Sequence, residues 1–114
     1  MPDQQDTLVV RRQRPAPGIA IVTAVGEIDL LTAPRLHRAL ARVREPTILL
    51  DLTGVTFLAA AGLTVLVAAN AEALSAGRRF GVVGAAGMAR RTLEVSGVAE
   101  LVPSYASMAE ADAG

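Results

Sequence analysis

The sequence contains no cysteine, no lysine and no tryptophan. The lack of cysteine excludes disulfides, thiolate catalysis and cysteine-based zinc sites. The lack of lysine excludes a phosphate-binding loop of the G-x-x-x-x-G-K-S/T type. The single histidine, His37, has no second ligand at metal spacing, so we expect neither a metal site nor a cofactor.

Aromatic residues and net charge are also scarce. Only 3% of the residues are aromatic, and eleven arginines are balanced by eleven acidic residues. A chain without net positive charge lacks the field that gathers nucleic acid through its phosphates. Phe57, Phe80 and Tyr105 are too scattered to stack on successive bases. We therefore expect no nucleic acid among the partners.

The side chains that could act as nucleophiles form no catalytic pattern. Neither His37 nor a carboxylate pair stands at a spacing that would activate the serines. These serines are Ser75, Ser96, Ser104 and Ser107. We therefore expect a protein that is not an enzyme.

Long hydrophobic runs and targeting segments are missing as well. Residues 1–6 are polar and acidic, unlike a secretory signal, which favours a cytoplasmic location. The uncharged stretch 55–71 has 17 residues and includes Gly62 and Asn70. It falls short of the roughly 20 apolar residues that span a bilayer, so we expect no direct membrane insertion.

Aliphatic residues, by contrast, are abundant. Residues with hydrophobic side chains make up 52% of the chain, and most of them are Val, Leu, Ile and Ala. A core of this composition suits thin helices packed closely on a sheet. A length of 114 residues fits a single domain spanning 1–114, whose ordered core we place at about residues 7–111.

The first half of the chain predicts three strands. Residues 7–12 and 19–25 are predicted to form two strands in a hairpin-like arrangement, separated by the turn-forming sequence Pro15–Gly18. Residues 47–52 form an apolar run typical of a strand that is covered on both faces. We expect Thr53-Gly54 to turn the chain after this run.

Apolar residues at helical spacing predict the first two helices. The first begins after Thr32, whose hydroxyl is expected to cap free N–H groups, and Pro34 fits its first turn. The second runs from about residue 60 to residue 76 and ends at Gly77. Its expected stripe comprises Leu63, Leu66, Val67, Asn70 and Leu74.

The remaining third predicts a strand at 79–83, a helix at 88–95, a brief strand at Leu101-Val102 and a final helical turn. Ser107 and Glu110 have the spacing of a capping box for that turn. The fold class is therefore α/β, with a mixed sheet of four to five strands and about four helices. The predicted order is β-β-α-β-α-β-α-β-α.

Three sequence motifs in this element order resemble the STAS family, which includes the bacterial anti-sigma factor antagonists. They are Gly26–Asp29 before a Thr-initiated helix, Phe57–Leu63 at the start of the second helix, and Arg91–Val98 in the third. The resemblance extends over about residues 7–111. It implies a single STAS domain that binds an anti-sigma factor of the serine-kinase type and frees the sigma factor.

The chain departs from these antagonists at the start of the second helix. The family normally has Asp-Ser-Ser-Gly or Asp-Ser-Thr-Gly there, and the second hydroxyl residue is phosphorylated. The matching residues here are Ala59, Ala60 and Ala61, followed by Gly62. Ala61 is the phosphorylation-site equivalent and cannot be phosphorylated, which implies a protein held in the form that binds the anti-sigma factor. Alternatively, Thr32, Thr53, Thr56 or Thr64 serves as a displaced acceptor.

The residues around this helix start form the expected partner-binding surface. They are apolar or small, and only part of a helix surface can face a sheet, so some of them must be exposed unless a neighbouring loop covers them. By resemblance, Asp29 lies beside them and contacts the partner, or else only completes a turn. The candidate residues are Asp29, Thr32, Phe57, Leu58, Ala59, Ala60, Ala61, Gly62, Thr64 and Val65.

A second function is compatible with the same residues. A STAS subunit of an ABC-type lipid-trafficking transporter would bind the transporter ATPase and would need no phosphorylatable serine. Ala61 fits this alternative equally well. The sequence leaves the oligomeric state open.

Overall fold

The computed structural model describes residues 7–113, and the acidic segment 1–6 lies outside them. It confirms the predicted α/β class, with a mixed five-stranded sheet, the predicted order of strands, and one short helix more than expected. The elements are β1 (Leu8–Ala16), β2 (Ile19–Ile28), α1 (Ala33–Ala41), β3 (Thr47–Leu58), α2 (Ala60–Ser75), β4 (Arg79–Val83), α3 (Gly87–Ser96), α4 (Val98–Leu101), β5 (Ser104–Tyr105) and α5 (Met108–Ala113).

The strands are arranged in their chain order, β1-β2-β3-β4-β5. β1 and β2 form an antiparallel hairpin, whereas β2 to β5 are parallel neighbours connected through helices. β1 therefore lies at one edge of the sheet. Arg11, Arg12 and Arg14 are exposed on this edge strand.

The two faces of the sheet are covered unequally. In β3, Leu50 belongs to the main core, which includes side chains of α1, α2 and α3, whereas its neighbour Leu49 belongs to a small second cluster. Successive strand residues point to opposite faces, so these two clusters lie on opposite sides of the sheet. The second cluster includes Ala111 of α5. The expectation that β3 is covered on both faces is confirmed at these positions.

The predicted turn at Thr53-Gly54 is wrong, because β3 continues through it to Leu58. The pairing of β2 with β3 shifts register between Thr23 and Val25, which accommodates an irregular segment without ending the strand. The Asp51 carboxylate accepts a hydrogen bond from the Thr53 N–H at 2.9 Å. A side-chain hydrogen bond of this kind is typical of turns, but here the backbone of β3 remains extended. β2 likewise continues beyond residue 25, to Ile28.

The predicted strand at Leu101-Val102 is also wrong. Leu101 ends the short helix α4, and the Val102 N–H donates to the carbonyl oxygen of Val98 at 2.9 Å. Val98 and Val102 are both buried, and their spacing of four residues is helical. The last strand is formed instead by Ser104-Tyr105, which pairs with the end of β4.

The predicted capping box is present in modified form. The Ser107 hydroxyl accepts a hydrogen bond from the Glu110 N–H at 3.2 Å. The Glu110 carboxylate accepts from the N–H of Ala106 at 3.1 Å, one residue before the cap. Both bonds fix the start of α5.

The buried face of α2 differs from the predicted stripe. Val67 and Leu74 are exposed, and the face against the sheet comprises Gly62, Val65, Leu66, Ala69 and Ala73. Apolar residues occur on most sides of α2, whose one charged residue is Glu72, so their spacing does not indicate which face is buried. The predicted end is confirmed, because Gly77 has a φ of 72° and the Arg78 N–H donates to the Ala73 carbonyl at 2.7 Å.

Gly26 is expected to be the least replaceable glycine of the sheet. Its φ is 116°, and a Cβ there would lie 1.9 Å from the Thr7 carbonyl oxygen. Gly26→Ala should reduce the free energy of unfolding by about 3 kcal/mol, measured by urea denaturation. The control Gly77→Ala, which has φ 72° and open space around it, should cost about 1 kcal/mol. Equal losses in the two variants would contradict the steric explanation.

Candidate functional site

The ends of two parallel strands place the start of α2. Ile28 pairs with Leu58 at the carboxyl ends of β2 and β3, and the Ala59 N–H donates to the Ile28 carbonyl oxygen at 2.8 Å. α2 begins at the next residue. A Cβ at Gly62 would lie 2.6 Å from side-chain atoms of both Ile28 and Leu58. The absence of a side chain at Gly62 therefore lets the first turn of α2 lie directly against the strand ends.

The loop between β2 and α1 lies beside this helix start and is held by its own hydrogen bonds. The Oδ1 atom of Asp29 accepts from the backbone N–H groups of Leu31 at 3.0 Å and Thr32 at 2.9 Å. The Thr32 hydroxyl donates to the Glu27 carbonyl oxygen at 2.8 Å and accepts from the Asp29 N–H at 2.9 Å. The side chains of Asp29 and Thr32 thus fix a four-residue loop from within.

The predicted capping role of Thr32 is wrong, since its side chain makes no capping hydrogen bond to α1. Pro34 has no N–H to donate, and the Arg35 N–H donates to the main-chain oxygen of Thr32 at 2.9 Å. Few donors in the first turn therefore remain for the hydroxyl. The hydroxyl instead forms hydrogen bonds with the backbone of the preceding residues Glu27 and Asp29.

The hydrogen bonds of the loop stabilise the charged form of Asp29. The main-chain N–H of Thr32, followed by its hydroxyl and the N–H of Leu31, lowers the pKa of this carboxyl below its ordinary value of 3.8, against the opposing effect of desolvation. Asp29 is therefore ionised at neutral pH. One carboxylate oxygen of Asp29 accepts the hydrogen bonds of the loop, so Asp29 completes the turn. The same carboxylate supplies negative charge beside α2.

The structure brings most of the predicted site residues together, but four of them are buried. Thr32, Leu58, Gly62 and Val65 are buried, so another protein cannot contact them directly. The accessible remainder is called the α2-start surface, and it comprises Asp29, Phe57, Ala59, Ala60, Ala61 and Thr64. Ala60 and Thr64 are exposed, Phe57 is 40% exposed, and Ala61 is half-buried.

The threonines differ in their suitability as displaced phosphate acceptors. Thr32 is buried. The exposed Thr64 donates to the Ala60 carbonyl oxygen at 3.2 Å, and the exposed Thr56 donates to that of Gly26 at 3.3 Å. The hydroxyl of Thr53, which is also exposed, lies 2.6 Å from the Asp51 carboxylate. Each of the three exposed hydroxyls is therefore engaged within the chain.

Two further residues beside this surface were missed by the sequence reasoning. Leu30 is 77% exposed and Leu31 is 82% exposed, at the tip of the loop that Asp29 and Thr32 hold. The sequence feature that could have predicted this exposure is a pair of consecutive leucines between a strand end and a helix start. Both side chains of so short a loop cannot pack into the core.

The outward face of α2 is also apolar or small. Besides Glu72 and Ser75 near its end, the exposed residues of α2 are Ala60, Thr64, Val67, Ala71 and Leu74, which recur at spacings of four and three residues. This spacing places them on one stripe, opposite the buried face. The stripe begins in the α2-start surface and extends it along the helix.

The rest of the described chain offers few groups for other chemistry. His37 Nε2 lies 3.8 Å from a Glu72 carboxylate oxygen in a shallow contact between α1 and α2. Within residues 7–113, no group of three or more histidine or acidic side chains is arranged to hold a metal ion. Of the described helices, none combines the length and apolar character required to cross a bilayer.

Comparison with known proteins places these features in context. A family model described as "Mlab, STAS domain" matches residues 9–103. The anti-sigma-F factor antagonist RsfB of Mycobacterium tuberculosis is 35% identical over 100 residues, which cover 85% of this chain and 81% of RsfB. The crystal structure of an anti-sigma factor antagonist from Mycobacterium paratuberculosis has a TM-score of 0.84 and 32% identity, with coverage of 95% of this chain and 93% of that one.

More distant relatives share the fold. The phosphorylated form of SpoIIAA from Bacillus has a TM-score of 0.69 at 14% identity, covering 92% of this chain and 97% of that one. Because the sequence identity is this low, the structural similarity shows a shared fold and nothing more.

The loop should report the ionisation of Asp29 directly. Because the pKa of Asp29 is lowered in the folded protein, its stabilising bonds are complete above pH 3.8 and are lost as the pH falls through the lowered pKa. In an NMR titration, the amide protons of Leu31 and Thr32 should shift with a midpoint below 3.8. The control Asp29→Asn should remove this titration. A midpoint at or above 3.8 would contradict the assignment.

Proposed function

Because this chain belongs to the STAS family and its relatives include anti-sigma factor antagonists, we propose that it binds an anti-sigma factor and so frees a sigma factor. The contact is made by the α2-start surface. We further propose that the anti-sigma factor is of the serine-kinase type and that binding takes place in the cytoplasm. The protein acts by occupying its partner and catalyses no reaction.

The shape of the α2-start surface supports a role in docking. Phe57 is an exposed aromatic residue at the end of β3, and the small side chains of Ala60 and Ala61 leave the backbone of α2 approachable. Aromatic residues are common anchors in protein interfaces. Asp29 adds a fixed negative charge at the border of this surface.

One observation carries the proposed regulation, namely alanine at residues 59–61. A phosphorylated side chain at position 61 would add about −1.5 to −2 charges to the second residue of α2. Ala61 can carry no such group. Binding is therefore controlled by the amounts of the two proteins and by their complementarity, without phosphorylation at this position.

A negative charge at position 61 should block the partner. Ala61→Asp should weaken binding to the anti-sigma factor about tenfold or more, because the new carboxylate must be desolvated in the interface. Isothermal titration calorimetry against each purified anti-sigma factor from the same genome measures this effect. Ala109→Asp is the matched control, since Ala109 is exposed and is also the second residue of its helix, α5.

The control variant should bind as the unmodified chain does. Similar affinities for Ala61→Asp and Ala109→Asp would contradict the assignment of the α2-start surface. The absence of binding to every anti-sigma factor would contradict the proposed function itself.

Kinase labelling tests the loss of the phosphate acceptor. We expect the unmodified chain to take up no phosphate from radiolabelled ATP in the presence of its kinase-type anti-sigma factor, because the hydroxyl is missing. Ala61→Ser should become labelled, which shows that the kinase is active and recognises the surface. Stoichiometric labelling of the unmodified chain, mapped to Thr64 or Thr56, would contradict the proposed regulation.

The alternative partner is the ATPase of an ABC-type lipid-trafficking transporter. The outward stripe of α2 favours it, because a long apolar helix face suits a permanent subunit contact, and Ala61 removes any need for a kinase. Co-purification from native cells separates the two candidates. Recovery of a transporter ATPase together with no binding to any purified anti-sigma factor would favour the alternative.

A further inference from the structure

Leu30 and Leu31 form an exposed apolar pair on a rigid support. They are 77% and 82% exposed, and the side chains on either side of them, Asp29 and Thr32, hydrogen-bond the loop backbone. Single exposed leucines are ordinary, but an adjacent pair on a fixed loop is costly to leave in water. A loop that is already ordered loses little conformational entropy when it binds.

The pair lies next to the α2-start surface. The loop follows β2 directly, and the end of β2 is joined to the residue before α2 by the hydrogen bond from Ala59 to Ile28. A partner that covers Ala59 and Ala60 therefore also meets the loop that carries Leu30 and Leu31, called the leucine loop.

The charges of this region define the partner more closely. Residues 25–34 contain two charged residues, Glu27 and Asp29, and both are acidic. Residues 52–71, which include Phe57 and the first part of α2, contain no charged residue. The two segments thus combine apolar side chains with a net negative charge, and the next charged residue along the chain after the loop is Arg35, in the first turn of α1.

We propose that Leu30 and Leu31 anchor the anti-sigma factor by entering an apolar pocket on it, and that this pocket is bordered by arginine or lysine side chains that face Glu27 and Asp29. The inference rests on the proposed function and identifies the part of the surface that supplies most of the affinity. The two leucines are the binding hot spot, and the acidic residues orient the approach.

The matched variants are Leu30→Ser/Leu31→Ser and Val95→Ser/Leu101→Ser. Val95 in α3 and Leu101 in α4 are 79% and 66% exposed, so both double variants remove two exposed aliphatic side chains from a folded chain. The probe is the purified anti-sigma factor that binds the unmodified chain most tightly. The loop variant should lose affinity by about thirtyfold or more, mainly through faster dissociation, and the control should lose less than about threefold.

The acidic border is tested by Glu27→Gln, with Glu100→Gln as the control because Glu100 is also exposed but lies in α4. Surface plasmon resonance at two salt concentrations should show slower association for Glu27→Gln and a weaker dependence of association on salt. The Glu100→Gln variant should match the unmodified chain in both respects.

Unchanged affinity of the loop variant, with the unmodified chain binding normally, would overturn this inference and leave the proposed function in place. An equal loss in the control pair would overturn it, because the affinity would then not depend on the position of the exposed apolar side chains. Self-association of the unmodified chain in sedimentation, abolished only by the loop variant while anti-sigma binding persists, would assign the leucines to a second copy and overturn it. If the unmodified chain bound no anti-sigma factor, the proposed function would fail and the inference with it.

Discussion

The first turn of α2 lies against the ends of β2 and β3 because Gly62 has no side chain. A methyl group at this position would come within 2.6 Å of both Ile28 and Leu58. These two residues pair across the parallel strands, so the contact joins three elements at one point. The position of Ala60 and Ala61 relative to Leu30 and Leu31 depends on this contact, because a displaced helix would move the two alanines away from the loop.

The loop before α1 completes the same corner of the molecule by different means. The short side chains of Asp29 and Thr32 accept hydrogen bonds from backbone N–H groups within the loop itself. The loop is consequently ordered without any packing of its leucines. Apolar side chains held outside the core in this way are available to a partner at small entropic cost.

The sequence was sufficient for features that depend on near neighbours in the chain. The strand at 79–83 and the end of α2 at Gly77 follow from local composition and backbone freedom, and both are confirmed. The continuation of β3 through Thr53-Gly54 depends on the register with β2, which no local pattern encodes.

The candidate site was predicted in part for similar reasons. Its location followed from a motif, but which of its residues are buried depends on the strands beneath α2. Because apolar residues occur on most sides of α2, their spacing does not distinguish Val65, which is buried, from Val67, which is exposed. Leu30 and Leu31 were overlooked because apolar residues are commonly assumed to be internal.

The arginines of β1 affect whether two copies of this protein can pair through their edge strands. An open edge strand can recruit the same strand of another molecule and extend the sheet indefinitely. Two copies approaching edge to edge would bring Arg11 and Arg12 of each chain together, and Pro15 would withhold a hydrogen bond near the end of the strand. Like-charge repulsion along this edge therefore opposes the pairing of two copies through β1.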